Sequence, residues 1–303
     1  MYEDSENIAI KEQEEKRELS SIEIRETEVA RRIAKHKYGE CVYHYTSIAA
    51  CVGILSNKEL WLGSTATMND KSEVNYFIDN LQRAVLEDID SDKQGNCNLF
   101  FKKIYNRLQN EYPYAICFST LNDNAAQWER YADDAHGVCI IFNTSRLLNL
   151  FYYSNAFFFE IFYQEDIKQH DHYKVLKDFF NTGELKRFEN EMEEMDNLLA
   201  SAYMHKHESF NTESELRLST LWNQQIKGAD FSFEMVNGRL KKVLKISLKD
   251  LCSYEDIDFE SLIDGIVIAP RSEQNEQELK EYLESLNYKE LSKKVAKSQC
   301  PLR

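Results

Sequence analysis

The sequence predicts an α+β fold in which a mixed, mostly antiparallel central sheet is flanked by helices. The chain has 303 residues, of which 43% are hydrophobic and 12% aromatic. This is enough apolar material for a sizeable core. Short apolar strand patterns occur singly and at uneven spacing between amphipathic helical patterns. This spacing favours a mixed sheet over a regular βαβ repeat.

Residues 1–38 differ from the rest of the chain. They are rich in Glu, Lys and Arg, lack Gly and Pro, and contain a thin apolar set, which comprises Leu19, Ile22, Val29 and Ile33. This pattern predicts a charged N-terminal helical arm that Gly39 ends. The arm either packs loosely on its own domain or serves as a docking or self-association helix. We expect residues 39–303 to form a single α+β domain of catalytic type.

The remaining pattern predicts strands and helices without long linkers. The predicted strands are Cys41–Thr46, Glu59–Leu62, Tyr114–Ser119, Val138–Phe142, Phe157–Tyr163, Glu215–Leu221, Val243–Leu248 and Asp264–Pro270. We expect the strand from Val243 to pair beside the strand from Glu215. The predicted helices are Ile48–Leu55, 71–87, Phe100–Gln109, 125–133, 173–204 and a last helix capped by Ser272.

The charge and cysteine content narrow the class of protein. With 37 basic and 52 acidic residues the net charge is −15, which argues against tight non-specific nucleic-acid binding. The seven cysteines form no C-x-x-C pair, so free thiols are favoured over disulfides or a zinc site. No signal peptide or apolar run of about 20 residues is visible. We therefore expect a cytoplasmic protein with no membrane segment.

The segment from Val42 to Ser47 is the most informative. It predicts a strand that ends in His44, Tyr45 and Thr46 just before a helix. An imidazole, a hydroxyl and helix N-terminal amides in one corner favour a phosphate or a ribose. The alternative interpretation of His44 is a hydrogen-bonded core residue.

Two further segments also have two interpretations. Asn69 and Asp70 precede a helix, so Asp70 either caps it or, with Glu73 and His44, holds a divalent metal. Trp128 and Tyr131 are three residues apart on one helix face. They either line a cleft where a planar ring stacks or anchor the helix to the sheet.

Three charged residues alternate near residue 215. Glu213, Glu215 and Arg217 would lie on one face of a strand, with Leu216 and Leu218 facing the core. Such a row is either a set of surface ion pairs or a catalytic row. In a catalytic row, Arg217 would hold one carboxylate ionised and oriented.

Several short motifs, taken in order, resemble a bacterial family, the domain-of-unknown-function family 2971. The resemblance runs from about residue 41 to the end of the chain and carries no activity with it. The motifs are His44-Tyr45-Thr46, Leu60-Trp61-Leu62, Met68-Asn69-Asp70, Cys117-Phe118-Ser119, Trp128-x-x-Tyr131-Ala132, Gly137-Val138-Cys139, Glu213-x-Glu215-x-Arg217 and Ser298-x-x-Pro301-x-Arg303.

A second resemblance implies an activity. A first strand ending in His-x-Thr, a helix, a Leu-rich strand and a late Glu-x-Glu pair are similar to the ADP-ribosyltransferase fold. The resemblance implies NAD as substrate, with His44 and Thr46 holding it and Tyr45 or Tyr131 stacking on nicotinamide. It makes Glu215 the catalytic carboxylate and Glu213 the first acid of the pair. Arg217 would orient the carboxylate or bind the pyrophosphate.

The leading hypothesis from the sequence is therefore an ADP-ribosyltransferase-like enzyme that acts on an unidentified macromolecule, or a related NAD glycohydrolase. By analogy with such enzymes, a toxin or phage-defence role follows, and residues 1–38 would receive a regulator or partner. One alternative is a metal-dependent phosphodiesterase built on His44, Asp70 and Glu73. Another is a non-enzymatic nucleotide-binding or scaffold protein.

Overall fold

A computed structural model of the protein describes residues 39–65, 72–152, 156–163, 166–183, 191–220, 229–236 and 238–302. The fold is α+β with a mixed, mostly antiparallel sheet, as the sequence predicts. The arm at residues 1–38, Asn69 and Asp70 lie outside the described residues, as does the side chain of Glu73. Within the described ranges, no helix has the length and apolar content needed to cross a bilayer.

The strands and helices follow one another unevenly, as expected. The strands are β1 Cys41–Thr46, β2 Glu59–Ser64, β3 Tyr114–Ser119, β4 Val138–Asn143, β5 Ala156–Glu160, β6 Phe162–Tyr163, β7 His205–Lys206, β8 Glu215–Thr220, β9 Ala229–Val236, β10 Arg239–Ser247, β11 Ile263–Ile268 and β12 Val295–Lys297. The helices are α1 Ile48–Asn57, α2 Ser72–Glu87, α3 Gln94–Asn110, α4 Ala125–Tyr131, α5 Thr144–Tyr152, α6 Asp171–Thr182, α7 Glu191–Met204, α8 Leu248–Tyr254, α9 Glu276–Ser285 and α10 Lys289–Ser292.

Among the described residues, ten strands form the main sheet, in the order β12-β11-β4-β1-β3-β2-β10-β9, and β8 pairs with β3 and β5. In the part of this sheet that the structure describes, only β11 and β12 run parallel, and β6 and β7 form a separate parallel pair. The expected pairing of β10 with β8 is wrong, because β10 lies between β2 and β9. Strand β9 has no counterpart among the predicted strands, because its large apolar side chains face solvent rather than the core.

The sheet splits where β1 and β2 share one edge of β3. Strand β1 pairs with β3 only at Tyr43 opposite Ser119. Strand β2 pairs with β3 only at its other end, where Gly63 and Ser64 lie opposite Ala115 and Tyr114. The middle of β3 therefore has β8 on one edge and an opening on the other. This opening positions the candidate site.

Two large hydrophobic clusters and a smaller one support the sheet. The first packs α1, α5, α8 and α9 on one face of the sheet, with Leu60, Leu62, Leu216 and Leu218 among its members. The second lies among α2, α3, α6 and α7. The third surrounds Trp128, which is fully buried against Tyr45. Burial of this apolar surface is the main stabilising contribution to the fold.

Asp123 links the C-terminal segment of the chain to helix α4. Its carboxylate accepts hydrogen bonds from the Trp128 indole at 2.7 Å, from the backbone N–H of Gln299 at 2.8 Å and from the Ser298 hydroxyl. Asn124 caps α4 by accepting from the backbone N–H groups of Ala126 and Gln127. The cap of α9 is Asn275 rather than Ser272, because Asn275 accepts from the backbone N–H of Gln277 and Glu278.

The turn between α4 and β4 has an unusual backbone conformation. Asp133, Asp134 and Ala135 all have positive φ angles, at 52°, 50° and 66°, a conformation that costs roughly 1–2 kcal/mol for each non-glycine residue. The turn is held by hydrogen bonds from Ala135 N to Trp128 O and from Arg271 N to Ala135 O. Gly137 then enters β4 with its Cα close to the Thr46 carbonyl at the end of β1.

The close approach at Gly137 predicts a large effect of adding one methyl group. In Gly137→Ala the new Cβ would overlap the Thr46 carbonyl oxygen and lie 3.0 Å from the Ala132 carbonyl oxygen. Because both are backbone atoms, we expect the free energy of unfolding in urea to fall by at least about 2 kcal/mol. The control is Gly95→Ala in α3, where the new Cβ meets nothing within 4 Å and a small gain is expected. Equal stability of the two variants would contradict the close contact.

Candidate functional site

A cavity of about 600 Å³ lies at the split in the sheet. This volume is typical of sites that hold a small molecule or cofactor. Seven of the residues that the sequence analysis proposed for a site line it, namely His44, Tyr45, Thr46, Tyr131, Glu213, Glu215 and Arg217. The other proposed residues are Trp128, which lies elsewhere, and Asn69 and Asp70, which are outside the described residues.

His44 and Glu215 reach the cavity from different sides of the sheet. Tyr43 lies opposite Ser119, which lies opposite Glu215, so these three side chains share one face. His44 is the next residue and points to the other face, where its ring lies 5.6 Å from the Phe118 ring. Because β1 leaves β3 after Tyr43, the opening lets both side chains line one cavity.

The protonation of His44 follows from its hydrogen bond. Its Nδ1 lies 2.9 Å from the carbonyl oxygen of Cys117, which only accepts, so Nδ1 carries the proton. Burial lowers the pKa of His44, and this hydrogen bond opposes the effect in part. The neutral ring then leaves Nε2 with a lone pair, and no described residue donates to it. His44 can therefore accept a hydrogen bond from a ligand hydroxyl.

Four buried charged residues form a network at the other side of the cavity. The ammonium group of Lys206 lies 2.7 Å from a carboxylate oxygen of Glu213 and 2.7 Å from one of Glu215. Arg217 donates through Nε to the other oxygen of Glu215 at 2.6 Å. All four side chains are about 5% exposed. Two opposite pairs in one buried cluster avoid leaving any charge without a partner.

The network keeps Glu215 ionised. Burial alone would raise the pKa of Glu215, but the positive charges of Arg217 and Lys206 outweigh burial and lower it from 4.5 to about 2. The Cys117 thiol also donates to this carboxylate. A thiol is a weak donor, so it is the partner that a ligand hydroxyl could most easily replace. Glu215 is suited to stabilise positive charge and not to donate a proton.

Glu213 does not extend the strand, contrary to the expected alternation. It ends a 3₁₀ turn, and Ser214 has a positive φ of 43° before β8 begins. The Glu213 carbonyl accepts from the Ser119 hydroxyl at 2.7 Å and from the Gln127 amide at 2.8 Å. These bonds fix the irregular turn. Its carboxylate therefore meets that of Glu215 through Lys206 and not through the period of a strand.

The aromatic residues divide between the core and the cavity. Trp128 is fully buried and donates to Asp123, and the Tyr45 hydroxyl bonds to the Leu121 carbonyl, so these rings anchor α4 to β1. Tyr131 lines the cavity and donates to Glu213 at 2.7 Å. Burial and the neighbouring Glu213 charge raise the pKa of Tyr131, so it keeps its proton. Trp61 of β2 also lines the cavity.

Sequence reasoning missed Lys206 as a site residue and left Trp61 without a role. The alternation in β2 is a signal for Trp61, because Leu60 and Leu62 face the core and Trp61 must face the other side. No such signal exists for Lys206. A lysine on a two-residue strand gives no indication in sequence that it is buried between two carboxylates.

The metal hypothesis receives no geometric support from the part of the chain that the structure describes. Within it, no three or more His, Cys, Asp or Glu side chains are placed to hold a metal ion. Asp70 and the Glu73 side chain, which that hypothesis also needs, lie outside it. The metal-dependent alternative therefore stays a prediction.

Residues 127–218 match the model of a family described as a protein of unknown function (DUF2971). This is the family that the sequence analysis expected, and the match confirms the resemblance over these residues, which are less than half of the chain. The matched span contains Tyr131, Lys206, Glu213, Glu215 and Arg217, whereas His44 lies outside it. No curated protein and no solved structure matches the chain. The similarity to ADP-ribosyltransferases stays a prediction.

The lowered pKa of Glu215 predicts how stability depends on pH. A depressed carboxylate contributes stability that is present above pH 4.5 and is lost as the pH falls towards 2. We expect wild type to be more stable than Glu215→Gln at pH 6, and this difference to narrow by about 2 kcal/mol at pH 3. Urea denaturation of both proteins at each pH measures it.

The matched control for this measurement is Glu278→Gln, which alters an exposed carboxylate on α9. The same measurement on this variant shows how much of any change comes from removing one exposed, solvent-screened carboxylate rather than the buried one. A difference between wild type and Glu215→Gln that stays constant or widens at low pH would contradict an ionised, ion-paired Glu215.

Proposed function

We propose that the protein cleaves NAD between ribose and nicotinamide and transfers ADP-ribose to a macromolecule or to water. One observation carries this proposal. A neutral His44 and an ionised Glu215, far apart in sequence, line the same cavity of about 600 Å³. One side chain can accept from a ribose hydroxyl, and the other can stabilise positive charge on the same sugar.

The chemistry of the reaction requires such an anion. When the bond between C1′ and the pyridinium nitrogen breaks, its electron pair neutralises nicotinamide and positive charge develops on the ribose ring. Glu215 would accept from the 2′-hydroxyl in place of the Cys117 thiol and stabilise that charge. The acceptor then forms a bond to C1′ and loses a proton, which restores the balance of charge.

The charges that line the cavity suit a ligand of mixed charge. Three cationic side chains, Lys206, Arg217 and Lys241, lie among three carboxylates, Glu59, Glu213 and Glu215. Lys206 and Arg217 are engaged by the carboxylates. Lys241 has no ion-pair partner within the described ranges, which leaves it for a pyrophosphate. NAD carries a positively charged pyridinium and a negatively charged pyrophosphate, and these two groups match this arrangement.

The rings in the cavity can receive the planar parts of NAD. The Lys245 ammonium group lies 4.6 Å from the centre of the Trp61 ring. The Tyr131 hydroxyl donates a hydrogen bond to Glu213. The Tyr45 ring already packs against Trp128, with ring centres 4.8 Å apart. Of the two stacking residues suggested by the resemblance, Tyr131 therefore fits better than Tyr45. The biological role that we propose for this activity is that of a toxin or a phage-defence protein, with residues 1–38 as a docking arm.

Release of nicotinamide from NAD tests the proposed reaction. We expect wild type to release nicotinamide, with or without cell extract as a source of acceptor, and Glu215→Gln to be at least about 100-fold slower. The matched control is Glu194→Gln, because Glu194 is an equally buried carboxylate that lies in the helical cluster and bonds to His172. No release by wild type under either condition, or equal rates for wild type and Glu215→Gln, would overturn the proposal.

A pair of variants at His44 tests its role without depending on Glu215. In His44→Asn the amide can still donate to the Cys117 carbonyl, but the acceptor at Nε2 is lost. In His44→Gln the side chain reaches the Nε2 position and loses the donor at Nδ1. If Nε2 binds ribose, NAD should raise the melting temperature of the Gln variant more than that of the Asn variant. The reverse order would contradict this role.

A further inference from the structure

Strand β9 forms one end of the main sheet. Within the described ranges it pairs with β10 alone, along eight consecutive residues and without a bulge. Its outer edge therefore presents backbone donors and acceptors that no described strand satisfies. Proteins usually protect such an edge with lysine, proline, a bulge or a short strand. The sequence of β9, Ala-Asp-Phe-Ser-Phe-Glu-Met-Val, contains no lysine and no proline, and Asp230 and Glu234 are its only charged residues.

The side chains of β9 are unusual for an unpaired edge. Phe231, Phe233 and Met235 alternate along one face and are 57%, 67% and 65% exposed. Leu240, which lies opposite Met235 on β10, is 67% exposed. Large apolar side chains in a row on an open edge indicate a surface that another strand covers.

We propose that this edge pairs with β9 of a second copy of the chain, in antiparallel register about a two-fold axis at Phe233. In this register Phe233 lies opposite its own copy and Phe231 lies opposite Met235, so the apolar face matches itself. On the other face Ser232 lies opposite Glu234, and Asp230 lies opposite Val236. A surface that complements itself is what a two-fold dimer requires.

The charges on β9 select this register over its neighbours. Opposite residues of an antiparallel pair lie on the same face of the sheet. The allowed registers are therefore those in which Phe231, Phe233 and Met235 of one copy lie on the same face as those of the other copy. A two-fold at Ser232 would place Asp230 opposite Glu234, and a two-fold at Glu234 would place Glu234 opposite itself. Like charges directly opposite each other are destabilising. The axis at Phe233 avoids both pairs.

The dimer has a consequence for the cavities. The two-fold axis of an antiparallel strand pair stands perpendicular to the sheet, so both copies present the same face on the same side. Val236 lines the cavity, and Asp230 of the second copy would lie beside it. The two cavities would then open on one side of a continuous sheet, close to the shared edge. This arrangement holds whether or not the cavity binds NAD.

The mass of the full-length protein in solution tests the proposal. Sedimentation or light scattering from about 1 to about 100 µM should show a dimer. Phe233→Lys should be a monomer, because it places two lysines opposite each other at the axis. Since Phe233 is two-thirds exposed, this variant should stay folded. The control is Leu99→Lys on α3, where Leu99 is 60% exposed and the dimer should persist. A wild type that is monomeric throughout, or a dimeric Phe233→Lys, would overturn the proposal.

Cysteine cross-linking tests the register. In Phe233→Cys the two new thiols would lie opposite each other, with Cα atoms about 4.5–5.5 Å apart, within reach of a disulfide. In Phe231→Cys they would be four residues apart along the strands, about 14 Å. Mild oxidation should link Phe233→Cys into dimers and leave Phe231→Cys and wild type, with its free cysteines, unlinked. Equal linkage of the two variants, or none in Phe233→Cys, would contradict the register.

Discussion

The ammonium group of Lys206 lies between the carboxylates of Glu213 and Glu215, 2.7 Å from each. Without it, two negative charges would be buried side by side with Arg217 as their main buried counter-charge, and burial of unpaired charge costs several kcal/mol. Because Lys206 bridges the two carboxylates, Glu213 can join the network from an irregular turn rather than from a strand. It also joins the small β6–β7 ladder to β8, because Tyr163, paired with Lys206, accepts from the Glu215 backbone N–H at 3.1 Å. The lowered pKa of Glu215 depends on this arrangement.

The split in the sheet is the second constraint. A continuous sheet would place His44 and Glu215 on opposite faces, separated by a layer of backbone, because they differ by one residue in register. The divergence of β1 from β3 removes that layer locally. The backbone groups exposed by the divergence are partly satisfied by His44 itself, which bonds to the Cys117 carbonyl. The divergence of β1 from β3 thus has two effects. It leaves backbone groups of the sheet unpaired, and it creates a ligand-sized cavity.

Much of the fold could be predicted from local patterns, and the exceptions have physical reasons. Strand β1, strand β3 and helix α1 have strong apolar periods, so their prediction is close to the structure. Strand β9 was missed because its apolar face is the exposed one. The prediction that Glu213 lies on a strand is wrong, because nothing in Glu-Ser-Glu reveals the positive φ of Ser214. The meeting of His44 with Glu215 could be proposed only through a resemblance, since long-range pairing leaves no local signal. The role of Lys206 could not be predicted, because its partners are chosen by tertiary packing.

The proposed reaction requires one NAD molecule to occupy the cavity and to contact both His44 and Glu215. A crystal structure of the protein with a non-cleavable NAD analogue, in which a carbocycle replaces the nicotinamide ribose, tests it most directly. The analogue should lie at the opening between β1 and β2, with hydroxyls of the carbocycle within hydrogen-bond distance of His44 Nε2 and the Glu215 carboxylate. An analogue bound elsewhere at saturating concentration, or one that contacts neither side chain in the cavity, would contradict NAD binding by His44 and Glu215.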